Sequence, residues 1–296
     1  MKLSKIVTDI RVNWAIADAK RDEGLTTPED IRRFDNLSYG PYGTENLLDI
    51  YVRKNVDKIQ PTIVNIHGGG WVYGNKEIYQ YYCMSLAQRG FTVVNINYRL
   101  APENRFPAAV EDINQVMLFL EKHGAEYFVD KDQLILVGDS AGGQLVSHYA
   151  TVVTNPDFAK LFEFRVPKIT LKAVGLNCGA YDGRNMALSG KDAVFMEYLG
   201  VSDGKVQDQL LERVDTIKYI TGDFPPAFVM SAQNDFLLGN VEPMYQHLRS
   251  LNIPCEMKIY GTKEQTEIAH VFHVNCRLEE AKRCNDDECE FFRRFV

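Results

Sequence analysis

A serine flanked by small residues stands where an aliphatic run gives way to a helical pattern. Residues 134–137 predict a buried parallel strand, and residues 144–153 predict a helix. Between them, Gly138, Ser140 and Gly142 form a Gly-x-Ser-x-Gly motif. A sharp turn between strand and helix would present the serine hydroxyl as a nucleophile, and glycines would let the helix pack closely against the strand.

A serine nucleophile needs a base and an acid, and with this kind of turn the chain order is Ser, then Asp or Glu, then His. Asp235 follows a strand predicted at residues 226–231 and is the candidate acid. Three histidines come after it: His247, His270 and His273. His247 falls inside a predicted helix, whereas the other two follow the last predicted strand, from which a loop can reach Ser140. Position alone leaves both of those open.

A second glycine-rich segment follows the strand predicted at residues 62–66. Three glycines stand between His67 and Trp71, so the backbone there can approach a ligand closely. A phosphate loop would end in GKS or GKT, or show GxGxxG spacing, and both are missing. The pattern favours an oxyanion site instead, in which His67 holds the loop and Trp71 forms a pocket wall. Its donors are the backbone N–H groups of Gly69, Gly70 and Ala141.

Taken together, the motifs resemble the hormone-sensitive-lipase-like branch of the α/β-hydrolase esterases, from about residue 36 to the C-terminus. The motifs in order are HGGGW (67–71), YRLAPE (98–103), FPAA (106–109) and GDSAGG (138–143). The resemblance implies an α/β-hydrolase fold, with a mostly parallel central sheet, flanking helices and a small helical cap. It also implies a serine carboxylic-ester hydrolase that works through an acyl-enzyme and needs no metal or organic cofactor.

The resemblance extends to individual site residues. The family's base precedes one residue and a Phe, and His270-Val271-Phe272 matches with Val in place of the usual Gly. His270 is therefore the expected base. Asp235 is the expected acid, although the family's Asp-Pro-Leu is here Asp235-Phe236-Leu237. Two further acids are expected to support the oxyanion and nucleophile loops: Glu103 and Asp139.

A cap is predicted from two segments outside the strand pattern. Apolar residues recur at helical spacing near the N-terminus, at Leu3, Ile6, Val7, Ile10 and Trp14. Thr27-Pro28 predicts the start of a second helix over residues 28–34. Residues 183–222 lack strand periodicity and carry helical pieces such as 192–198. We expect residues 1–34 and 183–222 to cover Ser140 and to limit substrates to acetyl through butyryl esters. The alternative is a first helix packed outside the sheet.

The rest of the chain predicts one α/β-hydrolase domain over residues 1–296. Strands at residues 36–39 and 47–52 predict an antiparallel hairpin, before parallel α/β alternation begins. The last element predicted is a long helix over residues 274–295.

Composition narrows the range of partners. The 296 residues carry a net charge of -7 without a basic run, which argues against nucleic acid as a partner. The sequence has neither a signal-peptide pattern nor an 18-residue apolar window, so we expect a cytoplasmic protein without a membrane partner. The six cysteines form no CxxC pair and predict free thiols rather than ligands or disulfides. The expected partner is a small-molecule ester, and a homodimer stays open.

Two other functions remain open at this point. Amidohydrolases such as arylformamidases use the same triad and a similar glycine loop, so only a comparison of amide with ester substrates separates them. Non-catalytic binding is the second alternative, because the plant gibberellin receptors share the fold and have lost the catalytic His. The joint presence of Ser140, Asp235 and His270 argues against binding alone.

Overall fold

Eight strands form one sheet in the computed structural model, which describes residues 3–202 and 204–296. The strands are β1 (Ile31–Ser38), β2 (Leu47–Arg53), β3 (Gln60–Ile66), β4 (Thr92–Ile96), β5 (Val129–Asp139), β6 (Leu171–Asn177), β7 (Ala227–Ala232) and β8 (Cys255–Tyr260). Their order is β1-β2-β4-β3-β5-β6-β7-β8. The β1–β2 and β2–β4 pairs are antiparallel, and all other neighbours are parallel. Met1, Lys2 and Asp203, which fall in the predicted cap, lie outside the described residues.

Helices cover both faces of this sheet. They are α1 (Lys5–Asp22), α2 (Gln80–Gln88), α3 (Ala108–His123), α4 (Ala141–Thr154), α5 (Pro156–Ala159), α6 (Gly183–Ser189), α7 (Ala193–Leu199), α8 (Asp208–Val214), α9 (Thr216–Tyr219), α10 (Val241–Ser250) and α11 (Glu279–Arg293). One apolar core joins the sheet to α3, α4, α10 and α7, and a second joins it to α2 and α11. The layers are therefore helix, sheet and helix, which confirms the predicted fold class. No helix in the described ranges is long and apolar enough to cross a bilayer.

The predicted helix over residues 28–34 is wrong, because the chain enters β1 at Ile31. Ile31, Phe34 and Leu37 have a helix-like spacing. However, the register of β1 against β2 shifts between Phe34 and Leu37, as a β-bulge does, and Asn36 there has φ 58°. The bulge turns Phe34 and Leu37 toward the same core, whereas Ile31 packs in the second core. The predicted antiparallel hairpin itself is confirmed.

The C-terminal helix begins later than predicted, at Glu279 instead of residue 274. A short 3-10 turn, Phe272–Val274, precedes it, and Val271 before that turn has φ 62°. All three residues of the turn are buried. These residues therefore anchor the loop that carries His270, and the terminal helix begins only after them.

The apolar residues of α1 make a narrower contact than their spacing predicts. Val7 is fully buried, and Leu3 and Ile10 pack partly buried against the core. Ile6 and Trp14 stay 40% and 41% exposed. The first helix is thus fastened to the core near its N-terminal end, and Trp14 is left to face a cavity described below.

All six cysteines are free thiols, as predicted. Four of them are buried: Cys83, Cys178, Cys284 and Cys289. Cys255 and Cys276 are half-buried.

Candidate active site

Ser140 occupies the turn between β5 and α4. Its backbone has φ 54° and ψ -119°, a conformation that non-glycine residues adopt rarely, and its N–H donates to the Asn177 carbonyl at 2.9 Å. Gly142 is required in the first turn of α4, since a Cβ there would lie 2.0 Å from the Ile66 carbonyl oxygen. This close approach of α4 to β3 holds the serine at the carboxyl edge of the sheet.

The structure brings Ser140, His270 and Asp235 together in the order a nucleophile, a base and an acid require. His270 Nε2 lies 3.0 Å from Ser140 Oγ, and His270 Nδ1 lies 2.8 Å from Asp235 Oδ1. With the carboxylate accepting from Nδ1–H, Nε2 is left to accept the serine proton. The three side chains come from the β5 turn, the segment after β7 and the segment after β8.

Asp235 is built to stay ionised. Burial raises the pKa of its carboxyl, but the hydrogen bond and charge of His270, with the hydrogen bonds from Ser231 and Leu237, together outweigh burial, and the pKa lies below its usual value. The Ser231 hydroxyl donates to Oδ2 at 2.7 Å, and the Leu237 N–H donates to Oδ1 at 2.8 Å. These donors persist despite Phe236 at the position where the resembling family usually has Pro.

The other two late histidines are not joined to the serine. His273 is buried, and its ring nitrogens have no hydrogen-bond partner among the described residues. Burial lowers the pKa of His273 to about 3, so the ring is neutral. Its ring packs edge-on against Tyr82, with 5.3 Å between centroids. His247 lies half-buried in α10. The geometry therefore resolves the ambiguity that position left between His270 and His273.

The glycine loop after β3 adopts backbone conformations that favour glycine. Gly69 has φ +115°, and a Cβ there would lie 2.0 Å from the Tyr73 carbonyl oxygen. Gly70 has φ +59°. Among the described residues, the N–H groups of Gly69 and Gly70 have no protein acceptor, and that of Ala141 is an unpaired donor at the start of α4. The glycine loop and the start of α4 thus leave three backbone donors without a protein acceptor in the described part of the chain.

His67 lies fully buried at the start of this loop. Its Nδ1 lies 2.7 Å from the Gly68 carbonyl oxygen, and its ring stacks on Tyr98 with centroids 4.2 Å apart. The Tyr98 hydroxyl donates to the His67 carbonyl at 2.9 Å. Burial lowers the pKa of His67 to about 4, so the side chain is neutral. These contacts fit the predicted structural role in holding the loop.

Asp139 is linked to the glycine loop through Tyr79. The Gly68 N–H donates to the Tyr79 hydroxyl at 3.1 Å, and that hydroxyl donates to Asp139 Oδ2 at 2.8 Å. Burial raises the pKa of Asp139 to about 7, although the Tyr79 hydrogen bond opposes the shift. The expected supporting role of Asp139 thus has a physical route, because one phenol spans the nucleophile turn and the oxyanion loop. Sequence reasoning did not single out Tyr79.

Glu103, which is expected to support the active-site loops, contacts the first helix. Its carboxylate forms a bidentate pair with Arg11 of α1, at 2.8 and 2.7 Å. Arg11 in turn donates to the carbonyls of Val72 at 2.8 Å and Ala101 at 3.0 Å. Glu103 therefore reaches the glycine loop only through Arg11. No spacing signal could have identified Arg11, since it lies 92 positions before its partner.

Trp71, expected as a pocket wall, is almost fully buried at the end of the glycine loop. It is 4% exposed, its Nε1–H donates to Gln144 Oε1 at 3.1 Å, and its ring stacks on Tyr198 with centroids 5.2 Å apart. These contacts join the glycine loop to α4 and α7. Trp71 is not among the residues that line the cavity beside Ser140.

A cavity of about 340 Å³ opens beside Ser140 and His270. Trp14 and Tyr73 meet edge to face in its wall, with ring centroids 5.9 Å apart. The Tyr73 hydroxyl donates to Asp18 at 2.7 Å, which adds a polar element to the wall. Further lining residues are Ala17, Arg21, Ile78, Glu267, Val271, Asn275 and Leu278. Tyr73 and Asp18 were missed, because an aromatic after a glycine loop and an acid on a surface helix are unremarkable in sequence.

Comparison with known proteins agrees with this geometry. The BD-FAE family model matches residues 48–243, about two thirds of the chain. The probable carboxylic ester hydrolase LipM of Mycobacterium tuberculosis is 32% identical over 209 residues, which cover 69% of this chain and 48% of LipM. An acetyl esterase of Salmonella agona is 29% identical over 247 residues, 79% of this chain and 72% of that protein. The chain thus spans about half the length of LipM.

Among solved structures, an inhibited esterase B from Lactobacillus rhamnosis has a TM-score of 0.88 at 23% identity. The match covers 99% of this chain and 97% of that one, and at this identity it establishes the shared fold. The family match covers the glycine loop, the nucleophile turn and Asp235, whose geometry is described above. The chain belongs to the BD-FAE family, and its relatives and fold fit an esterase of the hormone-sensitive-lipase-like kind among the α/β hydrolases.

Proposed function

We propose that this protein is a serine carboxylic-ester hydrolase that cleaves short-chain acyl esters through an acyl-enzyme. The observation that carries the proposal is the pair of contacts from His270, 3.0 Å to Ser140 Oγ and 2.8 Å to Asp235 Oδ1. Hydrogen-bonding distances at both ring nitrogens are what transfer of the serine proton requires.

In the first half-reaction Ser140 Oγ attacks the ester carbonyl carbon, and its proton passes to His270 Nε2. Asp235 stabilises the imidazolium that forms, because its buried carboxylate is held ionised next to Nδ1–H. The carbonyl oxygen gains negative charge and accepts from backbone N–H groups, for which the available donors are those of Gly69, Gly70 and Ala141. His270 then gives its proton to the leaving alcohol, and the acyl group stays on Ser140.

The second half-reaction repeats these steps with water. His270 removes a proton from water, the hydroxide attacks the acyl carbon, and the same backbone donors bind the oxyanion. Return of the proton to Ser140 Oγ releases the carboxylic acid. The net reaction consumes one ester and one water and yields one acid and one alcohol. We propose that the cycle needs no metal or organic cofactor, so that a chelator leaves activity intact.

The short-chain preference rests on the wall that the cap helices provide. Trp14 of α1 lines the cavity beside Ser140, and a Cβ placed on Gly70 would lie 3.1 Å from Val194 of α7. We propose that α1 and the helices α6 to α9 form the cap, since α1 and α7 both approach the glycine loop. The acetyl esterase relative supports the same substrate class.

The test is hydrolysis of p-nitrophenyl acetate by the purified protein, with Ser140→Ala as its matched control. We expect the wild type to turn over and the control to fall by several orders of magnitude, because the nucleophile is lost. A phosphonate ester should add covalently to Ser140 in the wild type and be detected by intact mass. Absence of both turnover and labelling in a folded protein would contradict the proposal and favour binding without catalysis.

A parallel measurement with the matching anilide separates ester hydrolysis from amide hydrolysis. Both leaving groups can be protonated by His270, so the triad alone does not decide between them. We expect the ester to be the better substrate by kcat/KM. A formanilide preferred over phenyl formate would instead assign the protein to the amidohydrolases.

A further inference from the structure

A thiol lies beside the acid and the base, and the proposed hydrolysis does not use it. Cys178 follows β6, and its Sγ, an Asp235 carboxylate oxygen and a His270 ring nitrogen all lie within 4.8 Å of one another. Three side chains from three separate segments therefore converge on one point. They carry sulfur, oxygen and nitrogen donors.

The backbone holds this thiol in place. Cys178 has φ 50°, which is unusual for a residue with a side chain, and its N–H donates to the Met230 carbonyl at 2.8 Å. Its side chain is fully buried next to the Asp235 carboxylate and the Val271 backbone. Since Val271 directly follows His270, the thiol touches both segments that carry the proposed acid and base.

A thiolate, an imidazole and a carboxylate together form a donor set typical of zinc, which protein sites bind through four ligands in a tetrahedral arrangement. We propose that Cys178, Asp235 and His270 form a binding site for Zn²⁺ or a similar thiophilic divalent cation, and that its occupation stops hydrolysis. The binding claim rests on these three residues alone. The inhibition claim rests in addition on the proposed function.

Occupation would remove the base from the reaction. The cation binds His270 Nδ1, whose proton moves to Nε2, and it replaces the thiol proton of Cys178, which leaves to solvent. Asp235 then coordinates the cation instead of accepting from Nδ1–H. An imidazole bound to a cation through Nδ1 carries its proton on Nε2 and has no lone pair there to accept another, so Ser140 keeps its proton.

The three-residue cation site is only partly open to solvent, and this affects how fast a cation should bind. The His270 side chain is 21% exposed, whereas that of Asp235 is fully buried. His270 also borders the cavity beside Ser140, which provides a way in for a small cation. Because the ligands must separate by a small movement of the His270 segment, inhibition should develop with time after the cation is added.

The decisive experiment measures binding in a protein that cannot turn over ester. Co²⁺ is added to purified Ser140→Ala, and thiolate-to-cobalt charge-transfer absorption is recorded in the near ultraviolet. We expect the band in this variant and in Ser140→Ala/Cys276→Ala, and its absence in Ser140→Ala/Cys178→Ala. Cys276 is the matched control because it is half-buried and outside the three-residue site. Zn²⁺ should displace the band stoichiometrically. A band that follows Cys276, or no band in folded Ser140→Ala, would overturn the proposal.

Inhibition is then measured in proteins that keep Ser140, as the ratio of rates with and without Zn²⁺ in each variant. In Cys178→Ala, loss of a ligand should raise the half-inhibiting Zn²⁺ concentration by at least about 10- to 100-fold. In the wild type, a chelator should restore the rate that Zn²⁺ has lowered. Cys178→Ser is measured as well, in case Cys178→Ala does not fold. Equal inhibition in wild type and in a folded Cys178 variant would overturn the inhibitory role. A wild type without esterase activity would count against the proposed function, while the cobalt result would still decide the site.

Discussion

The guanidinium of Arg11 and the carboxylate of Glu103 form a bidentate pair that fastens the first helix to the loop before α3. The same guanidinium donates to the Val72 and Ala101 carbonyls, so one side chain joins α1, the glycine loop and the Glu103 loop. The proposed cap is therefore attached to the oxyanion loop by charge-assisted hydrogen bonds, in addition to apolar packing at Val7.

Replacing Arg11 and replacing Glu103 should lower the free energy of unfolding by different amounts. Glu103→Gln should lower the free energy of unfolding by only about 0.2–1 kcal/mol, because the pair is partly exposed to water. Arg11→Ala should cost more, since two carbonyls also lose their donor. Urea unfolding of the two variants and of the double variant measures the difference. Equal losses in the two single variants would show that the carbonyl contacts contribute nothing.

His270→Ala should lower turnover by about 10⁴-fold or more, the scale expected when the base of a triad is lost. His273→Ala should keep most activity, because its ring nitrogens contact neither Ser140 nor Asp235. The two variants are compared in one kinetic series on p-nitrophenyl acetate. If His273→Ala were inactive with its fold intact, the catalytic base would be His273 and not His270.

Gly69→Ala should lower kcat by about 10² to 10³, on the scale of a lost oxyanion donor. The added Cβ would meet the Tyr73 carbonyl oxygen at 2.0 Å, so the loop must move. Gly70→Ala should be milder, because its φ of +59° is reached by some other residues and its nearest neighbour is a Val194 methyl at 3.1 Å. A folded Gly69→Ala with normal kcat would remove this loop from the oxyanion site.

Rates on p-nitrophenyl esters should fall beyond roughly four to six acyl carbons if the proposed cap limits the cavity, because each excluded methylene forgoes about 0.8 kcal/mol of transfer free energy. Trp14→Ala should extend the accepted chain, and polar residues at Ile10 and Trp14 together should loosen the cap. Ile16→Ala is the control, since Ile16 lies on the same helix and is 65% exposed. A wild type that prefers long acyl chains, or a Trp14 variant with an unchanged chain-length profile, would show that the proposed cap does not determine acyl-chain specificity.

Glu288 should contribute a loss of stability as the pH rises through the range from about 4.5 to 7. Burial raises the pKa of Glu288 from 4.5 to about 7. Between these two pH values the folded state therefore keeps a proton that the unfolded chain has lost. The resulting loss of folding stability is absent below about pH 4.5 and complete above about pH 7.

Glu288→Gln should keep the acceptor for Asn177, which donates to Glu288 Oε1 at 2.9 Å, while removing the ionisation. Urea unfolding at low and high pH should show a pH-dependent loss smaller by about 2–3 kcal/mol in this variant. Glu290→Gln, an exposed position on the same helix, is the control and should keep the wild-type slope. An unchanged slope in Glu288→Gln would mean that this carboxyl ionises in the folded state without penalty.

The sequence alone determined the chemistry of the site, because its signals are local. The turn around Ser140 and the consecutive glycines at 68–70 need special backbone geometry, and only a few residue types allow it. Asp235 and His270 followed from chain order and short motifs. Strand positions were predictable for a similar reason, since burial on both faces selects aliphatic runs.

Tertiary structure decided what depends on contacts between distant segments. By their position in the chain, His270 and His273 were both candidates for the base. Packing puts the His270 ring against Ser140 and buries the His273 ring with both nitrogens unpaired among the described residues. Thr27-Pro28 predicted the start of a helix, and pairing with β2 determined a strand from Ile31 onwards. Arg11, Tyr79 and Cys178 carry no local signal. Each lies close to side chains dozens of positions away, at distances that only the folded chain sets.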